Sequence, residues 1–387
     1  MTLPLIIQAF SVPLSLRFME GQADFWQRQG FELHILTDSG PEIDQFIAQN
    51  NTVHHIVPFK RSLSITNAVY CLWLSVCYFK KYKPIVVHGN TPKAALITMA
   101  AAWLTGVPVR VYEMHGLPLE TVKKQYYFIF WLVEKITCSL ATTVIAVSES
   151  LRQAAIEKSI VCFSKINVNH NGSCNGVDAQ KVFNIALIDT ESVQKLRHSL
   201  GISVVNSVVG FIGRITFEKG IRELYEAWQI VKIQFPEAKL LLVGGFDKRQ
   251  KSSNDWIKKL TNDVTIYCVG HVENVADYYA LIDFLVLPSH REGLGNVVLE
   301  AAAMQKPAIV TKVTGLKSAI IENETGLFSN PKSVVDLAQK IIYYIENQDI
   351  VITHGIAAQK RVVNDFRPED VWQSKLNHYQ RLIKATK

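Results

Sequence analysis

The sequence predicts an α/β protein built from two doubly wound, Rossmann-like domains. Short apolar segments alternate with longer amphipathic ones along the 387 residues, which is typical of parallel sheets covered by helices. A chain of this length exceeds one ordinary hydrophobic core. The alternation pauses between residues 179 and 205 and then resumes, so we expect a linker there, with domains at 1–185 and 186–367 and a final helical segment at 368–387.

The elements follow in order along the chain. In the first half, strands are predicted at 4–9, 32–37, 54–58, 85–88, 109–113, 143–147 and 166–168. Helices are predicted between them at 17–29, 65–82, 92–104, 122–139 and 149–156. In the second half, strands are predicted at 208–212, 239–243, 264–269, 282–287 and 308–310. The helices of that half are predicted at 220–235, 276–281, 296–304, 333–346 and 368–383.

Two polar loops follow predicted strands in the second half, and parallel sheets bind ligands at the carboxyl ends of their strands. The first loop reads GRITFEKG at 213–220. Arg214 and Lys219 stand there beside the start of a helix, whose free N–H groups and dipole already favour an anion. The pattern fits either a diphosphate site or a solvated pair of surface cations.

The second loop carries a carboxylate on either side of two glycines, Gly293 and Gly295. Glycines let a backbone approach a ligand closely. A carboxylate is repelled by phosphate but accepts two hydrogen bonds from a vicinal diol. Glu292 and Glu300 are therefore candidates for binding sugar and ribose hydroxyls on either side of a diphosphate. An ordinary first-turn helix acid is the alternative for Glu300.

The net charge of +7 is concentrated in one segment of the chain. Residues 60–135 hold ten basic and three acidic side chains, an excess equal to that of the whole chain. The same segment contains the runs NAVYCLWLSVCYFKKYK and KKQYYFIFWLVEK. A basic, aromatic, amphipathic surface fits an anionic membrane, whereas buried helices with snorkelling lysines give the same pattern. No uncharged run offers the ~18 residues of a spanning helix, and the N-terminus lacks the basic region of a signal peptide.

Several other chemistries leave no signal in the sequence. The six cysteines form no CxxC pair, and no histidine or cysteine spacing fits a metal site, so we expect reduced, buried thiols in a cytoplasmic protein and no metal. A dehydrogenase would carry G-x-G-x-x-G after its first strand, where this chain reads LIIQAFSVPLSL. The modest charge and the lack of an aromatic–basic groove motif disfavour nucleic-acid binding.

Taken together, these motifs resemble the retaining glycosyltransferases of family four, which have the GT-B fold. The resemblance extends over nearly the whole chain. Its most specific part is the pair of glutamates in REGLGNVVLE at 291–300 with Arg214 and Lys219 upstream. Further matching segments are EMHG at 113–116, NGSCNGVD at 171–178, GRITFEKG at 213–220, LLLVGG at 240–245, VGHVENVADYYALIDFLVLPSHREGLGNVVLEA at 269–301 and TGL at 325–327.

The resemblance implies a role for each matching residue. Glu300 would bind the ribose of the donor, and Glu292 the hydroxyls of the donor sugar. Arg214 and Lys219 would neutralise the leaving diphosphate, and His115 would face the donor sugar and the acceptor. Further donor contacts are expected from Val269, His271 and Val272 near the base and from the backbone amides of Gly293, Leu294 and Gly295.

The GT-B fold implies two domains facing a central cleft, with the acceptor on the N-terminal domain and the nucleotide sugar on the C-terminal one. The last segment, 368–387, would pack back on the N-terminal domain. Many members have a glycine-rich loop after the first strand, but this chain has FSVPLSLR at 10–17. Ser11, Ser15 and Arg17 are therefore candidate acceptor contacts, together with His115.

The resemblance implies sugar transfer with retained anomeric configuration and without a metal cofactor. A UDP-sugar, such as that of an N-acetylated hexose, is the expected donor. The expected acceptor is a polyprenyl-diphosphate-linked saccharide at the inner face of the membrane, in the synthesis of capsule, O-antigen or another surface polysaccharide. A nucleotide-sugar 2-epimerase and a non-catalytic nucleotide-sugar-binding protein remain open alternatives. The epimerase would need acid–base groups around the second carbon of the sugar, and the binding protein need not keep Glu292 or His115.

Overall fold

The computed structural model describes residues 3–50, 52–59, 64–247 and 253–386, apart from the side chains of residues 253 and 254. The chain divides into two units: unit 1 comprises Met1–Gly176 with Pro368–Lys387, and unit 2 comprises Val177–Arg367. The sequence prediction ended the first domain at residue 185. Lys60 and Arg61, which it counted in the basic segment, lie outside the described residues.

Parallel strands form a sheet at the centre of unit 1. The strands are β1 (Leu5–Ala9), β2 (Glu32–Thr37), β3 (Val53–Ile56), β4 (Val86–Gly89), β5 (Val109–Met114), β6 (Thr143–Ala146) and β7 (Ile166–Asn167). The helices are α1 (Gln22–Arg28), α2 (Pro41–Asn50), α3 (Ile65–Tyr82), α4 (Pro92–Leu104), α5 (Tyr127–Leu140), α6 (Glu149–Glu157) and, from the end of the chain, α15 (Pro368–Ala385). The strand order is β3-β2-β1-β4-β5-β6-β7.

A second parallel sheet forms the centre of unit 2. Its strands are β8 (Val208–Ile212), β9 (Lys239–Val243), β10 (Ile266–Gly270), β11 (Phe284–Leu287), β12 (Ala308–Thr311) and β13 (Gly326–Ser329). The helices are α7 (Thr190–Ser199), α8 (Ile221–Gln234), α9 (Ser253–Thr261), α10 (Ala276–Leu281), α11 (Asn296–Ala303), α12 (Leu316–Ala319), α13 (Val334–Glu346) and α14 (Gln348–Asp365). The order β10-β9-β8-β11-β12-β13 reverses at β8, as that of unit 1 does at β1. Ligands of doubly wound sheets bind at such reversal points.

The helices of unit 1 lie on both faces of its sheet. Right-handed crossovers place α1 and α2 on one face and α3, α4 and α5 on the other, because the strand order reverses at β1. Leu376 and Tyr379 of α15 belong to the same buried apolar cluster as Trp26 of α1, and the Tyr379 ring stacks on Trp26 with 5.0 Å between centroids. None of the described helices is both long enough and apolar enough to cross a membrane.

The prediction of one helix over 17–29 is wrong at its start. Pro13–Met19 forms a 3-10 helix, and α1 begins only at Gln22. Gly21 separates the two with a φ of +71°, a conformation that glycine adopts readily. A Cβ at this position would lie 2.6 Å from the ring of Trp372, so the glycine also permits the close approach of α15.

The segment predicted as a linker, 179–205, is folded. It contains the 3-10 helix Ile185–Leu187 and the helix α7. Asp189 caps α7, because its Oδ1 accepts a hydrogen bond from the Glu191 N–H at 3.0 Å. No residue of α7 is buried. Its two apolar residues, Val193 and Leu196, are only half-buried. They form a narrow apolar stripe that gives a weak helical signal in the sequence.

The sequence prediction also missed α2, α9, α12, α14 and β13. The other predicted elements are present, and those at 32–37, 65–82, 92–104, 208–212, 239–243 and 276–281 have the predicted ends, while the rest have shifted ends. In α14 the central Gly355 weakens the helical signal. Packing requires a glycine at position 355, since a Cβ there would lie 2.1 Å from the carbonyl oxygen of Gln305.

The expectation of buried thiols is wrong for two cysteines. Cys77 on α3 and Cys162 after α6 are exposed. Cys71, Cys138 and Cys174 are buried, as expected from their apolar surroundings.

Candidate active site

The carboxyl ends of β8 and β11 bring the two polar loops of unit 2 together. These strands are neighbours in the sheet. The N–H of His290 in the second loop donates to the carbonyl oxygen of Glu218 in the first at 2.9 Å. Gly220 permits this approach, because a Cβ at that position would lie 2.0 Å from the carbonyl oxygen of Pro288. The backbone of each loop is therefore fixed against the other.

Lys219 and Glu292 form an ion pair in this corner, with side chains 23% and 12% exposed. Glu292 Oε1 also accepts a hydrogen bond from Ser289 Oγ at 2.8 Å. The hydroxyl of Thr311 on β12 donates to the carbonyl oxygen of Ser289, which fixes the loop to the sheet. A cation and a carboxylate are thus held side by side at the N-terminus of α8, where the helix dipole favours an anion.

A second layer of ion pairs holds this corner, and the sequence interpretation missed it. Arg291 Nε donates to Glu218 Oε1 at 2.9 Å, and the other end of the guanidinium contacts the same oxygen. His290 Nε2 lies 2.9 Å from Glu223 Oε1 on α8. The partners are far apart in the sequence, so no local spacing identifies them. The only signal in the sequence is that both loops that follow the strand ends carry charged residues.

Glu300 lies on the second turn of α11, so its interpretation as an ordinary first-turn acid is wrong. Its Oε2 accepts a hydrogen bond from the hydroxyl of Tyr279 at 2.8 Å. Tyr279 is fully buried on α10. The carboxylate is therefore oriented by a rigid neighbour, as a group that accepts hydrogen bonds from a diol must be.

We expect Glu300→Gln to raise KM for the donor about ten- to a hundredfold, because charge-assisted hydrogen bonds contribute roughly 1.5–3 kcal/mol. The effect on kcat should be small, since the ribose does not react. Donor KM is measured by initial rates. Glu237→Gln makes the same chemical change at an exposed site of unit 2 and should leave KM unchanged. Equal KM values for wild type and Glu300→Gln would contradict the ribose assignment.

Arg214 lies at the other end of the first loop, after Gly213 with its φ of +144°. Its side chain is 56% exposed, and Nη1 lies 3.9 Å from Asp247 Oδ2. Among the described residues, no hydrogen bond or ion pair joins Arg214 to Lys219 or Glu292. The contact of Arg214 with the diphosphate therefore stays a prediction.

The remaining predicted donor contacts lie on two strand ends. Val269, His271 and Val272 are at the end of β10, an edge strand separated from β8 by β9. Gly293, Leu294 and Gly295 connect Glu292 to α11, and Leu294 is buried. Gly315 supports this stretch, since a Cβ there would lie 2.5 Å from the carbonyl oxygen of Glu292. Their contacts with a nucleotide stay predictions.

In unit 1, His115 follows β5 and lies against the 3-10 helix that follows β1. Its ring stacks on Phe18 with 5.5 Å between centroids and 22° between planes. The Arg17 guanidinium lies over the same phenyl ring at 5.3 Å. The structure therefore brings two predicted residues, Arg17 and His115, to one aromatic side chain that the sequence interpretation did not single out.

The two candidate serines have local partners. Ser11 Oγ accepts a hydrogen bond from the N–H of Ala94 in the first turn of α4 at 3.2 Å and lies 2.7 Å from Thr91 Oγ1. Ser11 therefore joins the end of β1 to the start of α4. The N–H of Ser15 donates to the carbonyl oxygen of Val12 at 3.1 Å within the 3-10 helix. Acceptor binding by either serine stays a prediction.

A buried carboxylate, Glu113, stands behind His115. Glu113 is 1% exposed, and its two oxygens lie 2.8 and 3.1 Å from Nζ of Lys375 on α15. Oε2 also lies 3.2 Å from His88 Nε2 and 3.8 Å from His115 Nε2. The sequence interpretation missed this cluster, because Lys375 comes from a distant part of the chain.

Burial controls the protonation of this cluster. Burial alone would raise the pKa of Glu113, but the charge of Lys375 and the contact with His88 outweigh it and hold that pKa well below its usual range. Burial lowers the pKa of His115 to about 4, against the attraction of Glu113. The pKa of His88 is lowered by burial as well. The pKa shifts therefore favour the charged form of Glu113 and the neutral form of both imidazoles.

The described residues contain no group of three or more His, Cys, Asp and Glu side chains placed to hold a metal ion. Metal-independent turnover stays a prediction, and it depends on Lys219, Arg214 and the α8 N-terminus as the source of positive charge.

Comparison with known proteins identifies the class. Residues 17–173 match the family described as Glycosyltransferase Family 4, and residues 192–361 match the family described as Glycosyl transferases group 1. The chain is 32% identical over 381 residues, 98% of each chain, to the capsular polysaccharide biosynthesis glycosyltransferase CapM of Staphylococcus aureus. It is 22% identical over 340 residues, 87% of this chain and 85% of the relative, to the UDP-Gal:alpha-D-GlcNAc-diphosphoundecaprenol alpha-1,3-galactosyltransferase of Escherichia coli.

The fold is similar to that of a glycosyltransferase from Rickettsia africae ESF-5, with a TM-score of 0.80 and 21% identity over 99% of this chain and 100% of that one. The chain thus belongs to the family-four glycosyltransferases and has the GT-B fold. It is an enzyme that transfers a sugar, so the epimerase and the non-catalytic binding protein are not retained.

Proposed function

We propose that this glycosyltransferase moves a sugar from a UDP-sugar to a saccharide linked through a diphosphate to a polyprenyl lipid, in the synthesis of a surface polysaccharide. The observation that carries the proposal is the Lys219–Glu292 pair, held at the N-terminus of α8 where the strand order of unit 2 reverses. The names of two relatives support the proposed pathway and substrates. One is a capsular enzyme, and the other is named for UDP-galactose and a diphosphoundecaprenol acceptor.

Charge decides how the donor lies in this corner. Lys219, Arg214 and the N–H groups of α8 attract the diphosphate. Glu292, which would repel phosphate, takes hydroxyls of the transferred sugar, and Glu300 takes the ribose diol. Ser289 and Lys219 hold the carboxylate of Glu292 in place, so that it acts as a fixed acceptor of hydrogen bonds.

Transfer proceeds with retention by displacement on one face of the sugar. The bond from C1 to the diphosphate oxygen breaks, the acceptor oxygen bonds to C1 on the same face, and the acceptor proton passes to the departing phosphate oxygen. Glu292 stabilises the cationic character of the sugar, and Lys219 and Arg214 stabilise the charge of the departing diphosphate. His115 contacts the sugar and the acceptor hydroxyl and orients them for reaction.

Nucleotide release tests the proposal. The purified chain is mixed with UDP-glucose, UDP-galactose, UDP-N-acetylglucosamine, a GDP-sugar and an ADP-sugar, each with and without a polyprenyl-diphosphate-linked monosaccharide. We expect release of UDP from one donor, only with the lipid-linked acceptor, and undiminished by a chelator. NMR of the product should show the anomeric configuration of the donor.

Each outcome bears on a separate part of the proposal. Release of GDP or ADP would overturn the donor class, and transfer only to free saccharides would overturn the lipid acceptor. Activity lost with a chelator and restored by magnesium would overturn metal independence. An inverted product would overturn the same-face route while leaving the transferase intact.

An exposed apolar surface of unit 1 supports attachment to the inner face of the cell membrane. Helix α4 packs against both α3 and α5. The exposed apolar side chains of this α3–α5 surface are Ile65, Val69, Tyr70, Trp73, Trp103, Leu104, Tyr127, Phe128, Ile129, Leu132 and Ile136. Exposed lysines on the same helices and their flanks are Lys80, Lys81, Lys83, Lys123, Lys124 and Lys135. Aromatic rings among lysines complement an anionic bilayer in which a lipid acceptor would lie.

We expect the double variant Trp73→Glu/Phe128→Glu to lose liposome binding. Both rings are exposed, at 59% and 65%, and burial of each ring contributes about 1.5–3 kcal/mol, so flotation with anionic vesicles should fall by at least about tenfold. Ile233→Glu, at an equally exposed apolar site on α8 of unit 2, should float like wild type. Unchanged flotation of the double variant would remove the α3–α5 surface as the attachment site.

A further inference from the structure

The interior of unit 1 contains charged groups that donor binding does not explain. Lys375 is 2% exposed, yet its ammonium contacts both oxygens of the equally buried Glu113. Nζ also donates to the carbonyl oxygen of Cys174 at 2.7 Å. Burying two charges carries a desolvation penalty that often cancels their attraction. An apolar pair of similar volume would serve stability equally well, so the pair calls for another role.

The carboxylate of Glu113 is fixed from several sides. On β4, His88 places Nε2 3.2 Å from Glu113 Oε2, and its Nδ1 contacts the hydroxyl of Tyr379 on α15. On α15, Lys375 Nζ lies 3.1 Å from the same Oε2 and 2.8 Å from Oε1. The oxygen that faces His115 therefore has a defined position.

His115 presents one specific atom to that oxygen. Its Nε2 is buried, has no hydrogen-bond partner among the described residues and lies 3.8 Å from Glu113 Oε2. Phe18 stacks on the ring, which restricts rotation of the imidazole about its Cβ–Cγ bond. The side chain is 20% exposed, and this exposure belongs to side-chain atoms other than Nε2.

We propose that Lys375 and Glu113 are positioning residues, which hold His115 as the neutral Nε2–H tautomer and so keep the lone pair of Nδ1 available for a hydroxyl of the substrates. A carboxylate opposite Nε2 attracts the proton to that nitrogen and leaves the lone pair on Nδ1. The inference rests on the proposed function, in which His115 contacts the sugar and the acceptor. The last helix of the chain would thereby take part in the chemistry of the first unit.

Lys375 is required by the charge balance of the cluster. Glu113 and Lys375 cancel, so both imidazoles can stay neutral. The groups that face the cluster come from four elements: Gln8 on β1, His88 on β4, Glu113 and His115 on and after β5, and Lys375, His378 and Tyr379 on α15. Without the ammonium, a buried carboxylate would remain, and a proton would bind to one of the neighbouring imidazoles.

The test combines kinetics with NMR of the histidine side chains in the full-length chain labelled with ¹⁵N. Nitrogen shifts distinguish the Nε2–H tautomer, the Nδ1–H tautomer and imidazolium, and the His115→Asn spectrum assigns the signal. Three variants are compared with wild type: Glu113→Gln, Lys375→Met and the double variant Glu113→Gln/Lys375→Met. The double variant removes both buried charges and leaves no unpaired carboxylate. It therefore serves as the folded variant if Lys375→Met alone fails to fold.

We expect wild-type His115 to be neutral and Nε2-protonated at neutral pH. In Glu113→Gln and in the double variant the two tautomers should mix, because an amide can donate as well as accept. Their kcat should fall at least roughly 10- to 100-fold, the range for removing a partner that orients a metal-bound imidazole, with donor KM nearly unchanged. If Lys375→Met folds, its His115 should become protonated at a higher pH than in wild type.

Three results would overturn the inference. One is a double variant with wild-type kcat and an unchanged Nε2–H signal, which would make the pair purely structural. Another is wild-type His115 found as imidazolium or as the Nδ1–H tautomer at neutral pH. The third is a loss confined to donor KM. If wild type releases no nucleotide from any donor, the proposed function fails instead, and the NMR comparison alone decides the tautomer question.

Discussion

Lys219→Met should lower kcat for sugar transfer about a hundred- to a thousandfold, the range for removal of a group that stabilises charge only in the transition state. Lys219 is held by Glu292 just before α8 begins, and the described residues offer no metal ligand cluster that could replace its charge. The loss should appear mainly in kcat, because the negative charge on the leaving oxygen grows as its bond to C1 breaks. Rates of UDP release at saturating donor measure it.

Two controls separate this effect from a general change of charge or fold. Lys258→Met removes an exposed lysine from α9 of unit 2 and should leave kcat unchanged. Lys219→Met/Glu292→Gln removes both partners of the ion pair, and should fold like wild type but remain inactive. If Lys219→Met keeps a kcat within a few-fold of wild type, the diphosphate must be neutralised by other groups, and the central assignment of unit 2 is wrong.

The candidate residues of unit 2 could be proposed from the sequence because they are local. Arg214, Lys219 and Glu292 lie in the loops that follow buried strands, and Glu300 lies on the helix after the second loop. The carboxyl end of a parallel strand is where a doubly wound sheet binds its ligand. The apolar pattern and the length of a strand can both be recognised in a single sequence. What the pattern did not show is which side chains pair. The Lys219–Glu292 contact needs β8 and β11 to be neighbours, and strand order is a property of the whole sheet.

The site of unit 1 was only partly predictable, for a related reason. His115 could be placed at a strand end, but Glu113 had the appearance of an ordinary residue of an apolar strand. Its partner Lys375 lies on the last helix, and the two meet only because α15 belongs to unit 1. Polar contacts of this range follow from tertiary packing, and the apolar residues of α15, such as Tyr379, carry that packing.

Unit 1 should lose stability as the pH falls from about 6.5 to about 4. The pKa of both His115 and His378 is about 4 in the folded chain, lowered mainly by burial from an ordinary value of 6.5. Between the folded and the unfolded pKa values, the unfolded chain binds more protons than the folded one. The free energy of unfolding therefore decreases as the pH is lowered. At ~1.4 kcal/mol per pKa unit, each histidine accounts for about 3 kcal/mol. Glu113, whose pKa is lowered further, contributes to a loss at more acid pH.

The measurement is urea unfolding at about pH 7 and about pH 5. Hydrogen exchange in peptides of unit 1 is the readout, because it assigns the free energy of unfolding to that unit. His378→Gln should narrow the difference between the two pH values. Its ring contacts Asn169 and Thr143 inside unit 1, and an uncharged amide cannot take up the proton. His198→Gln, at an exposed site on α7, should leave the difference unchanged. Equal urea midpoints at both pH values would mean that the buried imidazoles take up protons without penalty. In that case burial does not keep His115 neutral, because the attraction of the Glu113 charge for a proton offsets the effect of burial on the pKa of the ring.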